Sequence, residues 1–242
     1  MIQSPPRARP HFAVVATYNI HRCIGADGRH DADRVAAVIR ELDADIVALQ
    51  EVDARYHIED GDDQAEYLAQ ATGMEVVYGP ARVRHQGSCG NAMLTRWPVK
   101  GVRRVEIGVA GREPRALLDT DLEVDGVPVR VLVTHFGLRH FERRLQTEML
   151  VRTVGHQGDA CTILLGDFNE WTWVGHTLRR LNGVFGRTPA VRSFPSPMPV
   201  LALDRIWVHP PRALVELRAH RSRLASWASD HLPVRGVLET WA

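Results

Sequence analysis

The sequence lacks the features that are typical of disulfide-stabilised, zinc-binding, membrane-spanning and secreted proteins. Its three cysteines, Cys23, Cys89 and Cys161, are too few and too scattered for a disulfide framework, and they lack the CxxC spacing of a zinc site. No apolar run reaches the roughly 18–20 residues that a membrane-spanning helix needs. The start of the chain is rich in proline and arginine and lacks the apolar core of a secretory signal peptide. We therefore expect a cytoplasmic protein with reduced thiols.

The sequence also lacks an excess of charge of one sign. It has 30 basic and 29 acidic residues and a net charge of +1, whereas a dedicated nucleic-acid binder usually has a pI above about 9. Lys100 is the only lysine, and we attribute the arginine excess first to genomic base composition. The 242 residues are 45% hydrophobic and 24% charged, an ordinary globular composition that excludes disorder and fibrous structure.

Nothing in the sequence marks a linker or an internal repeat. We expect residues 1–10 to form a disordered tail and residues 11–242 to form one domain. Short β-rich segments alternate with stretches of helical spacing, and several segments are apolar on both faces, as in a sheet covered on each side. An Asp-Gly pair at 125–126 predicts a hairpin. The pattern indicates an α/β fold with a strand-rich interior, two packed sheets and helices outside.

Three helices are predicted between the strands. Asp31 or Asp33 caps the first, and Gly73 ends the second. The segment 183–199, with four prolines, predicts a long irregular loop, which is either functional or a tolerated surface loop. The third helix covers about residues 141–156 and places three apolar residues roughly on one side, namely Leu145, Met149 and Val154.

Polar residues recur where apolar strands begin or end. Four strands run into a polar cluster, and two further clusters directly precede a strand. Because the start of one strand lies beside the end of its antiparallel neighbour, all six clusters can lie along one edge of the packed sheets. That edge would bring together four carboxylates, two amides and two imidazoles: Glu51, Asp167, Asp204, Asp230, Asn19, Asn169, His135 and His231.

Four carboxylates in one cleft repel one another, by about 3 kcal/mol per pair at about 5 Å and an effective dielectric constant near 20. A hard divalent cation offsets this repulsion, and carboxylate and amide oxygens suit Mg²⁺ or Mn²⁺ rather than zinc. Histidine beside carboxylate adds proton transfer near neutral pH. Together these groups predict attack of water on a phosphate ester.

These residues stand in motifs that resemble the endonuclease/exonuclease/phosphatase superfamily of Mg²⁺-dependent phosphoesterases. The resemblance implies a four-layer αββα sandwich, in which helices flank two packed mixed β-sheets and the active site lies at one end of the sheets. The motifs follow the family order from about residue 11 to residue 240: Thr17–His21, Asp45–Val52, Gly90–Leu94, Glu113–Ala116, Thr134–His135, Gly166–Asn169, Leu203–Ile206 and Ser229–Val234.

The resemblance implies a metal centre and a water-positioning pair. Glu51 is expected to be the principal metal ligand, with Asn19 and Asp230 as direct or water-mediated ligands. Asp167 and Asn169 are expected to position the attacking water and contact the phosphate. Gly166, just before them, permits a tight turn that presents both side chains.

The resemblance also implies roles for the remaining polar residues. His231 is expected to bond the scissile phosphate or to act as acid or base, while Asp204 holds its imidazole. His135 and Arg115 are expected to stabilise charge that develops on the phosphoryl oxygens. Asn91 is expected to shape the floor of the site, and a buried structural amide is the alternative.

Fold and site chemistry do not choose the substrate. Thr134-His135 resembles the deoxyribonuclease and sphingomyelinase branches, and Tyr18–His21 resembles small bacterial members of uncertain substrate. Some eukaryotic relatives of the latter are associated with lipid-anchor remodelling. We favour a small or lipid-linked phosphoester as substrate. DNA endonuclease or exonuclease activity is the alternative, and a non-catalytic binding module on the same fold is a third hypothesis.

Further residues bear on substrate contact. Trp171 and Trp173 are expected to rim the cleft, stacked on a base or against an acyl or sugar group, unless one of them is structural. A basic cluster at the start of the third helix either meets phosphates or anionic lipid headgroups or is a solvated helix face. We expect a monomer without a stable protein partner, and peripheral membrane contact stays open. The basic cluster consists of Arg139, His140, Arg143 and Arg144.

Overall fold

The structure, a computed structural model, describes residues 11–54, 63–84, 87–155, 161–172 and 175–240. The expected tail at residues 1–10 lies outside these ranges. Within them, no helix is long and apolar enough to cross a membrane. The elements in chain order are β1 (His11–Asn19), α1 (Ala32–Leu42), β2 (Ile46–Ala54), α2 (Gln64–Thr72), β3 (Glu75–Arg84), β4 (Gly87–Thr95), β5 (Val99–Glu106), β6 (Ala116–Val124), β7 (Val127–His135), α3 (His140–Val154), β8 (Cys161–Asp167), α4 (His176–Phe185), β9 (Asp204–His209), β10 (Leu214–Ala219), α5 (Ala225–Ala228) and β11 (Val234–Thr240).

The strands form two mixed sheets. One has six strands in the order β10-β11-β1-β2-β4-β3, and the other has five in the order β5-β6-β7-β8-β9. The pairs β1–β2 and β7–β8 are parallel, and the other neighbours are antiparallel. The predicted hairpin joins β6 to β7. Its turn residues Asp125 and Gly126 have φ values of 50° and 83°, as a tight hairpin turn requires.

The two sheets pack face to face, and helices cover their outer faces. Between the sheets lie apolar side chains such as Val15, Met93 and Leu165. Helices α1, α2 and α5 pack on the six-stranded sheet, and α3 and α4 pack on the five-stranded sheet. Asp31 caps α1 by accepting a hydrogen bond from the backbone N–H of Arg34 at 2.8 Å. The expected four-layer αββα sandwich is confirmed.

The sequence prediction missed three elements, α4, α5 and β10. Strand β10 is a largely exposed edge strand, so it lacks the apolar run that marks the others. The irregular segment begins at residue 186, after α4, rather than at residue 183. It continues to residue 203, with a single bridge between Phe194 and Leu201.

Helix α3 packs with a different side from the one predicted. Val154 is buried, but Leu145 and Met149 are exposed. The buried side is mainly polar because its side chains have partners in distant segments. Arg143, for example, lies 3.4 Å from the buried carboxylate of Glu170. Polar groups that are paired in this way can be buried. The polar residues on the buried side are Glu142, Arg143, Gln146 and Thr147.

Candidate active site

The polar clusters meet at one edge of the two sheets, as the sequence predicts. In the five-stranded sheet, His135 pairs in register with Asp167, and Asp167 pairs with Asp204. Asn19 ends β1 in the other sheet and connects the two edges. Its side-chain nitrogen donates to Glu51 Oε1 at 3.2 Å and to Asp167 Oδ2 at 3.1 Å. The site therefore lies between the two sheets.

An irregularity in β2 presents Glu51. The strand continues past its predicted end at residue 49, and its pairing with β4 shifts between Leu49 and Val52. Glu51 has a φ of 57°, in the left-handed region that non-glycine residues adopt only at a cost in free energy. A bulge of this kind re-aims a side chain. Here the re-aimed carboxylate reaches Asn19.

Gly166 permits a close approach of two strands rather than the predicted tight turn. It lies within β8 with a φ of 156°, and a Cβ at this position would lie 2.0 Å from the carbonyl oxygen of Thr134. Only glycine fits without a shift of the backbone. The next residue is Asp167, so this approach sets the position of the Asp167 carboxylate beside β7.

A buried ion pair joins β9 to the segment before β11. His231 Nδ1 lies 2.8 Å from Asp204 Oδ2, which also accepts a hydrogen bond from Ser193 Oγ at 2.5 Å. Burial acts to lower the pKa of His231, but Asp204 outweighs it and raises this pKa to about 10. The imidazole is therefore protonated on both nitrogens at neutral pH. Its Nε2 lies 3.8 Å from Asp167 Oδ2.

Asp167 lies at the centre of the cluster and is 1% exposed. Its Oδ1 accepts a hydrogen bond from the backbone N–H of Asn169 at 2.8 Å. Burial, together with the charge of Asp204, raises the pKa of Asp167 to about 6. Potential ligand atoms of Asp167, Asp204 and His231 all lie within 4.8 Å of one another. With a pKa of about 6, the Asp167 carboxylate can gain or lose a proton near neutral pH.

His135 is neutral beside Asp167. The side-chain nitrogen of Asn169 lies 3.1 Å from His135 Nε2 and donates to a backbone carbonyl at 3.0 Å. Because an amide nitrogen only donates, His135 Nε2 accepts here. Burial, then the positive charges of Arg115 and His231, hold the pKa of His135 well below its ordinary value. The 3.5 Å contact from Nε2 to Asp167 Oδ2 is therefore not an ion pair.

Asp230 lies beside Asn19 on the more open side of the cluster. Ser229 Oγ donates to the backbone carbonyl of Asn19 at 2.7 Å and lies 3.4 Å from Asp230 Oδ1. Asn19 Oδ1 accepts a hydrogen bond from the backbone N–H of His21 at 3.1 Å. The amide nitrogen, rather than the oxygen, thus faces the carboxylates. In this conformation, Asn19 suits a water-mediated contact with a metal better than a direct one.

An open cleft of about 80 Å³ adjoins the cluster. Its lining includes Glu51, His135, Asn91 and Arg115, all expected site residues. Asn91 Nδ2 donates to the backbone carbonyl of Ala116 at 2.9 Å. Asn91 therefore holds β4 against β6 and also forms part of the cleft wall, so both interpretations of this residue apply.

The sequence prediction missed Arg22, which lines the cleft with Arg115. Its place directly after the Asn19–His21 motif was the available signal. Arg22 is the middle of three left-handed residues, with φ values of 46°, 54° and 59° for His21, Arg22 and Cys23. Such strain concentrates at functional sites. In the described part of the chain, the buried Nε atoms of Arg22 and Arg115 have no hydrogen-bond partner. Arg115 pairs with Glu113 at 2.9 Å, whereas Arg22 forms no ion pair with a described residue, so Arg22 is the better suited of the two to bind an anion.

The structure does not place Trp171 where the sequence predicts. Trp171 does not line the cleft of Glu51. Its ring lies 4.8 Å from the Arg143 guanidinium, and it lines a separate, smaller pocket. Trp173 lies outside the described residues. Substrate contact by either tryptophan stays a prediction.

Ser193, which donates to Asp204, was missed because no motif marks it, although it lies in the loop that the prolines predict.

Known proteins resemble this chain over nearly its whole length. Residues 16–231 match the model of the Endonuclease/Exonuclease/phosphatase family. The chain belongs to this family. The uncharacterised protein YbhP of Escherichia coli K12 is 33% identical over 250 residues, which cover 95% of this chain and 97% of YbhP. YbhP of Shigella flexneri matches with the same identity and coverage.

Solved structures share the fold of this family member. A Beutenbergia cavernae endonuclease/exonuclease/phosphatase has a TM-score of 0.76 at 22% identity, over 96% of this chain and 72% of its own. An endonuclease/exonuclease/phosphatase from Bacteroides vulgatus has a TM-score of 0.76 at 18% identity, and the match covers 96% of this chain and 100% of that one. Truncated Caenorhabditis elegans TDP2 has a TM-score of 0.66 at 16% identity, and the match covers 95% of this chain and 98% of that one. These likenesses show the fold, and family membership indicates a phosphoesterase or a nuclease.

Proposed function

We propose that this protein is a Mg²⁺-dependent hydrolase of a small or lipid-linked phosphoester, with Mn²⁺ able to replace Mg²⁺. The observation that carries the proposal is the meeting of Glu51, Asp167 and the Asp204–His231 ion pair around Asn19. Family membership supports the hydrolase class, since members generally act on phosphoester bonds. We expect the protein to act as a monomer in the cytoplasm.

The donor set fits a hard divalent cation. The cluster brings together four carboxylates and one protonated imidazole, so it needs positive charge. Asp204 is engaged by His231, whereas Glu51 and Asp230 are only half-buried at the open side. We assign Glu51 and Asp230 as the residues that would hold the cation, with Asn19 beside them. Their carboxylate oxygens suit Mg²⁺ or Mn²⁺. When bound, the cation polarises a phosphoryl oxygen and stabilises the charge that develops on it.

The buried residues supply proton transfer and charge stabilisation. Asp204 holds His231 at Nδ1 and leaves the Nε2 proton to be donated to a phosphoryl oxygen or the leaving group. Asp167 accepts a proton from the attacking water. Asn169 Oδ1, to which no described residue donates, orients that water. Neutral His135, fixed by Asn169, carries its proton on Nδ1 and keeps Nε2 as an acceptor.

The size and charge of the cleft support a small substrate. The cleft encloses only about 80 Å³, so it has room for a compact phosphate-bearing group rather than a long chain. The guanidinium groups of Arg22 and Arg115 offer donors to phosphate oxygens. The net charge of +1 provides no strong field to attract a long polyanion. These features favour a small phosphoester over DNA.

Hydrolysis assays test the proposal. The substrates are bis-p-nitrophenyl phosphate, p-nitrophenyl phosphate, glycerophosphocholine and supercoiled plasmid, each with Mg²⁺, Mn²⁺ or EDTA. We expect turnover of a small phosphoester, its loss in EDTA, and intact plasmid. Asp167→Asn should lose at least about a hundredfold in rate. Asp121→Asn, the same chemical change at a half-exposed site on β6, is the control and should keep full activity.

Two outcomes would overturn the proposal. Plasmid nicking that needs Mg²⁺ and disappears in Asp167→Asn would establish a nuclease instead. Folded, metal-loaded protein that hydrolyses no phosphoester would establish a binding module on the same fold.

A further inference from the structure

Helix α3 presents an apolar stripe to solvent. Phe141, Leu145 and Met149 recur every fourth residue and are 46%, 47% and 37% exposed, and Leu138 just before the helix is 59% exposed. Side chains four residues apart lie on one face of a helix. We call these four residues the α3 stripe. Together these side chains form an exposed apolar strip along the helix.

Unpaired cations flank the stripe. Arg139 and Arg144 are exposed, and neither forms an ion pair with any residue that the structure describes. The two acidic residues of α3 are both engaged. Glu142 is buried and Glu148 is half-buried, and each pairs with an arginine, at 3.4 and 3.2 Å. Arg143, part of the predicted basic cluster, is buried and does not contribute to this surface. The surface therefore combines apolar area with net positive charge.

The stripe borders the wall of the candidate active site. The guanidinium of Arg112 lies 5.2 Å from the centre of the Phe141 ring. Arg112 belongs to the same β5–β6 loop as Arg115, which lines the cleft. An open groove along this loop is lined by Arg112 and shares Pro114 and Arg115 with the cleft. Any external surface on which the α3 stripe docks therefore lies next to a groove that leads into the cleft of the candidate active site.

We propose that the α3 stripe docks on an anionic lipid bilayer and that the protein takes a lipid-linked phosphoester from that surface. Protruding apolar side chains can insert among the acyl chains of a bilayer while neighbouring arginines stay at the level of the headgroups. The arginine charges complement anionic headgroups. A second copy of the chain fits less well, because a symmetric pairing of stripes would bring the cations of both copies together. The substrate part rests on the proposed hydrolase activity, whereas the docking part does not.

Vesicle flotation with the full chain tests the docking. We compare phosphatidylcholine vesicles with vesicles that also contain phosphatidylglycerol. The protein should bind the anionic vesicles, and less strongly at high salt. Leu145→Ser/Met149→Ser should lower the partition coefficient at least about tenfold. Val215→Ser, at a 50% exposed site on β10, is the matched control and should bind as the wild type does. Arg139→Gln/Arg144→Gln should weaken binding mainly at low salt.

Hydrolysis of soluble bis-p-nitrophenyl phosphate separates docking from chemistry. Leu145→Ser/Met149→Ser should keep this activity and its melting temperature, because both side chains are exposed on α3. Failure to bind anionic vesicles, or equal binding by the wild type and this variant, would overturn the docking and leave the hydrolase intact. A dimer seen by light scattering and abolished by the same variant would instead assign the stripe to self-association.

Discussion

Replacing Gly166 with alanine tests how the fold sets the position of Asp167. The new Cβ would lie 2.0 Å from the carbonyl oxygen of Thr134, whereas real Cβ atoms essentially never approach closer than 3.0 Å. The strands must therefore separate locally by about 1 Å. Overpacking of this kind costs about 1–3 kcal/mol in stability. A misplacement of about 1 Å at a catalytic group costs about a hundredfold in rate. We expect Gly166→Ala to fold with reduced stability and to lose about that much activity.

The assay combines bis-p-nitrophenyl phosphate hydrolysis in Mg²⁺ with thermal unfolding. Gly126→Ala is the matched control, because Gly126 also has a positive φ, 83°, but a Cβ there would contact nothing within 4 Å. It should cost about 1–2 kcal/mol and leave the rate unchanged. The reasoning is refuted if Gly166→Ala, like this control, keeps more than about a third of the wild-type rate.

Three further variants test the metal site, the mechanism and the fold. Glu51→Gln should weaken Mg²⁺ binding, measured by calorimetry, because it removes a charged oxygen ligand. His231→Ala should lower the rate at saturating metal by at least about a hundredfold. Asp119→Asn should lower the free energy of unfolding near neutral pH by about 1–3 kcal/mol, measured by urea denaturation, because the buried Asp119 carboxylate pairs with Arg103 and Arg130 at 2.9 and 2.7 Å.

The effect of Asp119→Asn should depend on pH. Burial acts to raise the pKa of Asp119, but hydrogen bonds from Arg130 and Arg103 hold it below its ordinary value. The contribution is therefore full above about pH 4, where the unfolded carboxylate is also ionised, and is lost as the pH falls through the lower folded-state pKa. If Asp119→Asn lost as much stability below the folded-state pKa of Asp119 as it does above pH 4, the ion-pair explanation would be contradicted. Asp121→Asn, half-exposed, is the control.

The predictions for Glu51→Gln and His231→Ala can each be contradicted by one measurement. Unchanged Mg²⁺ affinity in Glu51→Gln would remove Glu51 from the ligand set. A rate loss below about fivefold in His231→Ala would remove His231 from the mechanism.

The sequence alone determined the α/β class, most strands and the polar residues at the strand ends. These features depend on local patterns, namely apolar runs, capping residues and turn pairs. Asp31 at the start of α1 and the turn at 125–126 are examples. The order of the strand-end motifs also pointed to the family, because each motif is a contiguous stretch of chain.

Only the tertiary structure decided which side of α3 is buried and how the site residues are presented. Arg143 is buried because Glu170, 27 residues away, balances its charge, and no local pattern shows such a pair. Glu51 reaches Asn19 through a bulge in the pairing of β2 with β4, and Gly166 is required by the backbone of a neighbouring strand. In each case the deciding partner comes from a segment far away in sequence, so only the assembled fold brings the two together.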